Sequence, residues 1–351
     1  MDEIRAISLS DTALIAAYII FITSYIVFAL GKFPGLKIDR PGAAIIGAVA
    51  MVAFRIVSPR EALHFIDFPT LVLLFSMMLI VGNLHLVGFF EWSVEFVLRR
   101  LKPSHLLPAV VFASGVFSAF FVNDIVCLVM VPFVMAITRR MKLKPLPYLL
   151  AVATGSNVGS VATITGNPQN MLIGSFSEIR YRDFFFHLGP VALMGLFLNW
   201  AVPQWIHIRG RASERPAEAM LLPPLDLSRL TKPVMMVAVV ITGFLAGVPP
   251  AMMAALGAAA LLITRTTEPR KLYEEVDWGL LVFFVGLFLI VGGAENAGIV
   301  ARLLAFARHW NLQRLDAFTL VVVVLSNLVS NVPAVMLLKS LVPAFGDPHT
   351  A

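Results

Sequence analysis

Charge is scarce in this chain. Asp, Glu, Lys and Arg together make up 14% of its 351 residues, against about 25% in an ordinary soluble domain. Apolar residues reach 59%, and the mean hydropathy is +0.86. A single soluble core stops growing near roughly 250–300 residues, so a chain this long and this apolar must bury most of its surface in lipid. Cysteine is nearly absent. Cys127 is the only one, which excludes an internal disulfide and leaves it to be expected as a small buried filler. The signatures of catalysis are missing too. There is no glycine-rich phosphate loop ending in Lys-Ser/Thr, no His-Glu-x-x-His and no Gly-x-Ser-x-Gly elbow. Neither ATP hydrolysis nor other enzymatic chemistry is expected, and no cofactor beyond a coupling ion. The net charge of +6 does not point to nucleic acid, because Lys and Arg sit in short gaps between apolar runs, where a membrane protein uses them to set orientation. The first apolar run, 13–30, is long enough to span and lacks a small-residue cleavage site behind a basic start. It is therefore read as a retained helix.

What is abundant is long apolar sequence. A spanning helix needs about 20 mostly apolar residues, and candidates run over 13–30, 41–57, 69–90, 184–206, 233–248, 250–264 and 278–297. Three more stretches, 104–138, 146–176 and 315–343, are interrupted by polar residues. Segments 91–101 and 300–310 are short and amphipathic, as helices lying along the interface would be. The hydrophilic stretch 207–232 divides the chain into a first membrane unit, 1–206, and a second, 233–351.

Basic residues orient these spans. Arg99-Arg100-Leu101-Lys102 and the run Arg139 to Lys144 flank the interrupted stretch 104–138. If both clusters are cytoplasmic, that stretch enters and leaves on one side as a re-entrant hairpin. With the two clusters included, the gaps then favour that side by roughly two to one, as the positive-inside rule requires, and the N-terminus lies outside. The expected location is the inner (plasma) membrane, crossed many times.

The two halves resemble each other. Asp67 through Gly82 and Gly88 aligns without gaps on Asp277 through Gly292 and Gly298, and Pro59-Arg60 falls on Pro269-Arg270. A slip of two residues brings Ser118 onto Ser326 and Asn123 onto Asn331. In this topology the repeats are inverted, an arrangement typical of secondary transporters because the halves can exchange inward-open and outward-open shapes. The expected fold is an all-α polytopic membrane protein of two inverted repeats, each with a re-entrant hairpin and an unwound helix.

Nonhelical backbone at bilayer depth is costly unless it lines a cavity or is buried in protein. The three interruptions are all polar: Phe121-Val-Asn-Asp-Ile125, Gly155 to Asn170, and Ser326 to Pro333. Pro168 cannot continue a helix interior, so unwinding is expected across 155–168, in preference to a helix-packing role for Gly155 and Gly159. Such a stretch offers carbonyl and side-chain oxygens to Na⁺ and half-helix N-termini to an anion. Asp124 is the sharpest residue. A carboxylate at mid-membrane costs at least about 2.5–3.5 kcal/mol on insertion scales, so it either holds a cation or carries a proton, or else caps the second hairpin arm as a neutral acid. Asn123 and Asn331 have a plainer reading as helix caps. Glu295, Asn296 and His85 are expected as interfacial residues at span ends.

These motifs resemble the ion transporter superfamily in its citrate-transporter-like branch, which includes arsenite permeases, sodium/proton antiporters and divalent anion–sodium symporters. Phe121-Val-Asn-Asp124 with Val131-Pro132 is similar to the first hairpin tip of that family. Gly155-Ser-Asn-Val with Thr165-Gly-Asn-Pro-Gln-Asn170 is similar to its unwound fifth helix, and Ser330-Asn-Val-Pro333 to the second tip. The resemblance implies a first half-site of Asn123, Asp124, Ser156, Asn157, Thr163, Thr165, Asn167 and Asn170, and a second with Ser330 and Asn331. It places a Na⁺ site near Asn123, Asp124 and Asn157. Val-Asn-Asp replaces the Ser-Asn-Thr of the dicarboxylate carriers at the first tip, which is closer to the arsenite-permease and antiporter branch and favours proton coupling. The expected partners are a small anionic solute, the lipid bilayer and a second copy in a homodimer. The expected activity is secondary transport of a small anion or oxyanion, with sodium/proton exchange or arsenite efflux as the alternative, and a channel or a non-transporting scaffold as the different class. Repeat symmetry predicts roughly 60 residues beyond Ala351, so the second repeat is expected to be incomplete.

Overall fold

In the computed structural model, the structure describes residues 10–32, 35, 37–90, 92–93, 105–207, 227–264, 267–309 and 314–339. The interfacial segment 91–101 with its basic cluster, most of the linker 207–232 and the tail beyond 339 lie outside the described residues, save Trp92, Ser93, His207 and 227–232.

Sixteen α-helices are present among the described residues. They are α1 (Asp11–Leu30), α2 (Arg40–Ala53), α3 (Pro59–Phe65), α4 (Phe68–Leu86), α5 (Leu106–Phe120), α6 (Asn123–Arg140), α7 (Leu146–Ser160) and α8 (Pro168–Ser177). Then come α9 (Tyr181–His207), α10 (Leu227–Leu245), α11 (Pro250–Thr264), α12 (Pro269–Glu274), α13 (Trp278–Asn296), α14 (Ile299–His309), α15 (Leu315–Val329) and α16 (Asn331–Leu338). Four stretches, α1, α4, Tyr181–Val202 of α9, and α13, are long and apolar enough to cross a membrane. The protein is a multi-pass, all-helical membrane protein. Two short helices, α3 and α12, were not among the expected elements.

Local chemistry places the helix starts. Ser58 and Glu61 close a reciprocal capping box on α3. Asp39 caps α2 through the Gly42 amide at 2.9 Å. The aspartates that match between the halves do the same work. Asp67 accepts from the Thr70 amide at 3.2 Å and its hydroxyl at 2.8 Å, and Asp277 accepts from the Leu280 amide at 2.9 Å. Each thus satisfies an orphan donor at the start of a 19-residue span, α4 or α13. Both spans are followed by a glycine of positive φ, Gly88 at 80° and Gly298 at 69°.

The chain forms two compact units. One comprises the residues up to Leu71, Ser175–Ser177 and the chain from Asp277. The other comprises Val72–Gly174 and Glu178–Val276. Their internal packing repeats at one register. In the first unit α2 packs on α13, where a methyl on Gly47 would lie 2.6 Å from Ile290 Cδ1. In the second, α11 meets α4, where a methyl on Gly257 would lie 3.5 Å from Ile80 Cδ1. The pairs 47/290 and 257/80 correspond residue for residue in the Asp67–Asp277 alignment. Gly292 against Phe65 and Gly82 against Glu275 obey the same register. Within the first unit, α2 is thus lent to α13, a long span far along the chain.

Candidate functional site

Two helical hairpins and one broken helix carry the polar residues singled out in the sequence. In the second unit, α5 and α6 are joined only by Phe121 and Val122, both buried. The last carbonyls of α5 have no intrahelical donor, and the broken helix supplies donors. The Thr163 hydroxyl donates to the Ala119 carbonyl. Behind it the hydroxyls of Thr163 and Thr165 lie 3.3 Å apart, and those of Thr165 and Tyr181 lie 2.8 Å apart. The Thr165 hydroxyl also lies 3.5 Å from the Phe120 carbonyl, so the hydroxyls of Thr163, Thr165 and Tyr181 cluster behind the last carbonyls of α5.

The break is shorter than expected. Gly155 to Ser160 is helical, and the interruption runs from Val161 to Asn167, with one 3₁₀ turn at Ile164–Gly166. This corrects the expectation that Gly155 and Gly159 unwind. They form a close helix-packing face: a methyl on Gly155 would lie 2.5 Å from Ser114 Oγ, and one on Gly159 would collide with the backbone of Gly115 in α5. Pro168 stands in the first turn of α8, where its missing amide hydrogen costs nothing.

Within the break the asparagines bind protein. Asn167 Oδ1 accepts from the Asn170 amide at 2.9 Å, and Asn167 Nδ2 donates to Ser160 Oγ at 3.0 Å. Asn170 Nδ2 donates to the carbonyls of Ser160 at 3.1 Å and Thr163 at 2.8 Å. Thr163, Thr165, Asn167 and Asn170 are all buried. These four residues hold the unwound backbone in shape.

The remaining first-half residues differ in exposure. Asp124 and Asn157 are exposed. Asn123 Oδ1 and Ser118 Oγ are buried and have no hydrogen-bond partner among the described residues. Asn123 is the first residue of α6 and makes no cap, because Val122 occupies the cap position and the arm has no side-chain cap bond. Asp124 lies in the first turn of that arm, where the helix dipole favours negative charge. Leu128 follows on the same face at 74% exposure, and Pro132, four residues on, leaves the Leu128 carbonyl without its helical donor. Ser156 is buried, and its hydroxyl lies 2.9 Å from the Cys127 thiol. Cys127 is only partly buried, so it is a contact between hairpin and broken helix and not a plain core filler. Ser160 and Tyr181 were not anticipated. Ser160 lies inside the polar run, whereas Tyr181 carries no local signal.

In the first unit, α15 and α16 are joined at Ser330 alone. Its φ of 78° is a left-handed value that a side chain tolerates poorly. Asn331 opens α16 and is exposed, and this arm too has no side-chain cap bond. The second arm of each hairpin therefore begins on an asparagine, at a helix N-terminus that no side chain caps. The polar span-end residues are engaged elsewhere. His85 Nδ1 meets Glu275 Oε2 at 2.8 Å, Lys339 Nζ meets Glu295 Oε1 at 3.6 Å, and Asn296 donates to the Ile56 carbonyl at 3.2 Å.

Long apolar spans and polar breaks between closely joined helices fit a membrane transporter, the class that the family match shows. The chain belongs to the citrate transporter family, CitMHS, whose family model matches residues 18–350. An uncharacterised transporter of Mycobacterium bovis is 26% identical over 96% of this chain and 83% of its own length. A silicon efflux transporter of Oryza sativa subsp. japonica is 26% identical over 89% of this chain and 78% of its own. The putative transporter arsB of Dictyostelium discoideum is 32% identical over 52% of this chain and 33% of its own. A family of transporters points away from catalysis.

Proposed function

We propose that this protein is a secondary active carrier that moves a small anion or oxyanion by alternating access, coupled to H⁺ or Na⁺. The observation that carries the reading is the matched pair of hairpin tips. At each, an asparagine opens the second arm on an uncapped helix N-terminus, and such ends attract anions through free amides and the helix dipole. Asn123, Asp124 and Asn157 from one half, and Ser330 and Asn331 from the other, would contact solute and coupling ion. Ser156, Thr163, Thr165, Asn167 and Asn170 would shape the first half-site. The orphaned Asn123 Oδ1 supports a cation ligand there, with Na⁺ beside Asp124 and Asn157 or a proton on Asp124 itself. The 15-residue α5 is about 22 Å long at about 1.5 Å per residue, shorter than the roughly 30 Å hydrocarbon core, which supports a re-entrant hairpin. Inverted repeats, an outside N-terminus, an inner-membrane location and a homodimer complete the reading.

The resemblance and one relative's name give the alternative solutes. Arsenite efflux, from the resemblance of the first tip, and efflux of a silicon species, from the name of the rice relative, are the runners-up. Reconstituted protein should show saturable transport of at least one solute among citrate, dicarboxylates, arsenite and silicic acid, driven by an imposed H⁺ or Na⁺ gradient. The Asp124→Asn variant should lose at least tenfold of the gradient-driven rate, about 1.4 kcal/mol in barrier terms. Non-saturating, gradient-independent flux would instead identify a channel.

A further inference from the structure

We propose that Tyr25, in the C-terminal half of α1, is the positioning residue for the second hairpin tip. Its hydroxyl donates to the carbonyl of Pro333 at 3.3 Å, across 308 positions of sequence and within one unit. Pro333 is two residues beyond Asn331, so the contact falls in the first turn of α16.

Three observations make this more than incidental contact. Tyr25 is 7% exposed, and a phenol hydroxyl buried at this depth needs a partner. Its ring is fixed by Phe21 at 4.5 Å and Phe28 at 5.5 Å, and Phe28 in turn stacks edge-on against Phe283 of α13 at 5.1 Å. The hydroxyl is thus aimed by an aromatic row reaching a long span. Second, α16 has only 8 residues, too few to hold itself as an isolated helix, so tertiary contacts must place it. Lys339 and Glu295 engage one end, and Tyr25 engages the other, beside the tip. Third, Ser330 keeps a positive φ at the tip, and such a backbone persists only where its surroundings over-determine it. The first hairpin solves the same problem differently, with Thr163 bonded to its incoming arm.

That the tip is a solute site rests on the carrier reading above. That Tyr25 sets the tip's position does not. In the full chain with Cys127→Ser, cysteine is introduced by Asn331→Cys, or by Leu128→Cys on the first hairpin as control. Each is labelled with a methanethiosulfonate reagent, with and without Tyr25→Phe. Tyr25→Phe should speed labelling at Asn331→Cys by about three- to tenfold, the loss of one hydrogen bond's worth, and leave Leu128→Cys unchanged. Equal rates at Asn331→Cys, or equal acceleration at both sites, would overturn the proposal. In proteoliposomes without the added cysteines, Tyr25→Phe should raise the KM for citrate at least threefold with the maximal rate within twofold. An unchanged KM also counts against it. If neither protein takes up citrate, the failure falls on the solute assignment, and the labelling rates still decide the role of Tyr25.

Discussion

Gly159 of α7 lies against Gly115 of α5 so closely that no side-chain carbon fits between the two backbones. This contact seats the broken helix on the first hairpin. A Gly159→Ala substitution must push them apart, and overpacking of this kind costs about 1–3 kcal/mol. The melting temperature in detergent should fall by several degrees. Gly189→Ala is the control, since its new methyl would come no closer than 3.6 Å to Phe185, and it should leave melting unchanged.

Asn170 is asked to donate twice and does so to two buried carbonyls. Asn170→Asp keeps the shape and removes both donors. It leaves the Ser160 and Thr163 carbonyls facing an acceptor, at about 1–3 kcal/mol for each unsatisfied group. Expression of folded, monodisperse protein should drop more sharply than for Asn157→Asp, because Asn157 is exposed. If the two variants behave alike, the bonded cluster is not what holds the break.

Ser330 is a place where a smaller residue should help. Its positive φ costs on the order of 1–3 kcal/mol, which glycine relieves while giving back roughly 0.5–1 kcal/mol of chain entropy. Ser330→Gly should therefore melt at or slightly above the parent temperature, and Ser330→Val well below it.

The hairpin reading makes a sidedness prediction. Cysteines placed by His105→Cys and Lys142→Cys, at the outer ends of α5 and α6, should react with a membrane-impermeant reagent from the same side of sealed vesicles. Reaction from opposite sides would require the two arms to be one continuous crossing.

The capping box on α3 gives a pH dependence outside the membrane spans. Bonds from the Ser58 amide and hydroxyl hold the Glu61 carboxyl below its usual 4.5. A depressed carboxyl stabilises the folded form above the unfolded value, and that contribution fades as pH falls through the folded one. Amide exchange in α3 should therefore accelerate below about pH 4.5 in the parent protein relative to Glu61→Gln, with the two converging in strong acid. No divergence across that window would remove the cap from the account of α3.

Much of this architecture was legible in the residues, and for identifiable reasons. The span expected at 250–264 matches α11, and that at 278–297 matches α13 within one residue, because long apolar runs are bounded by Pro250 and by the Asp277 cap. The breaks between α5 and α6 and between α15 and α16 were legible because Asn-Asp and Ser-Asn interrupt otherwise apolar sequence. The extent of the break was not. Polarity in Gly155 to Ser160 suggested unwinding, yet glycine and serine there serve a tight helix–helix approach, and only the partner Gly115 reveals it. Asn167-Pro168 was the better signal, since asparagine before proline marks a helix start. The helices α3 and α12 are too short to show periodicity, although Ser58-Pro-Arg-Glu61 is a capping sequence. Among the site residues, local sequence could not separate Asn167 and Asn170, spent on backbone, from Asn123 and Asn157. Tyr25 had no signal at all, because its partner lies hundreds of positions away.

The loan of α2 to α13 bears on how the protein is made. The small-residue face of α2, with Ala43, Ala44, Gly47 and Met51 buried in the finished fold, reaches the membrane long before its neighbour exists. Its partner is synthesised roughly 220 residues later, a delay on the order of ten to fifty seconds at common translation speeds. During that interval lipid or an insertion factor must cover the face, and a second nascent chain arriving early would be a ready competitor for it.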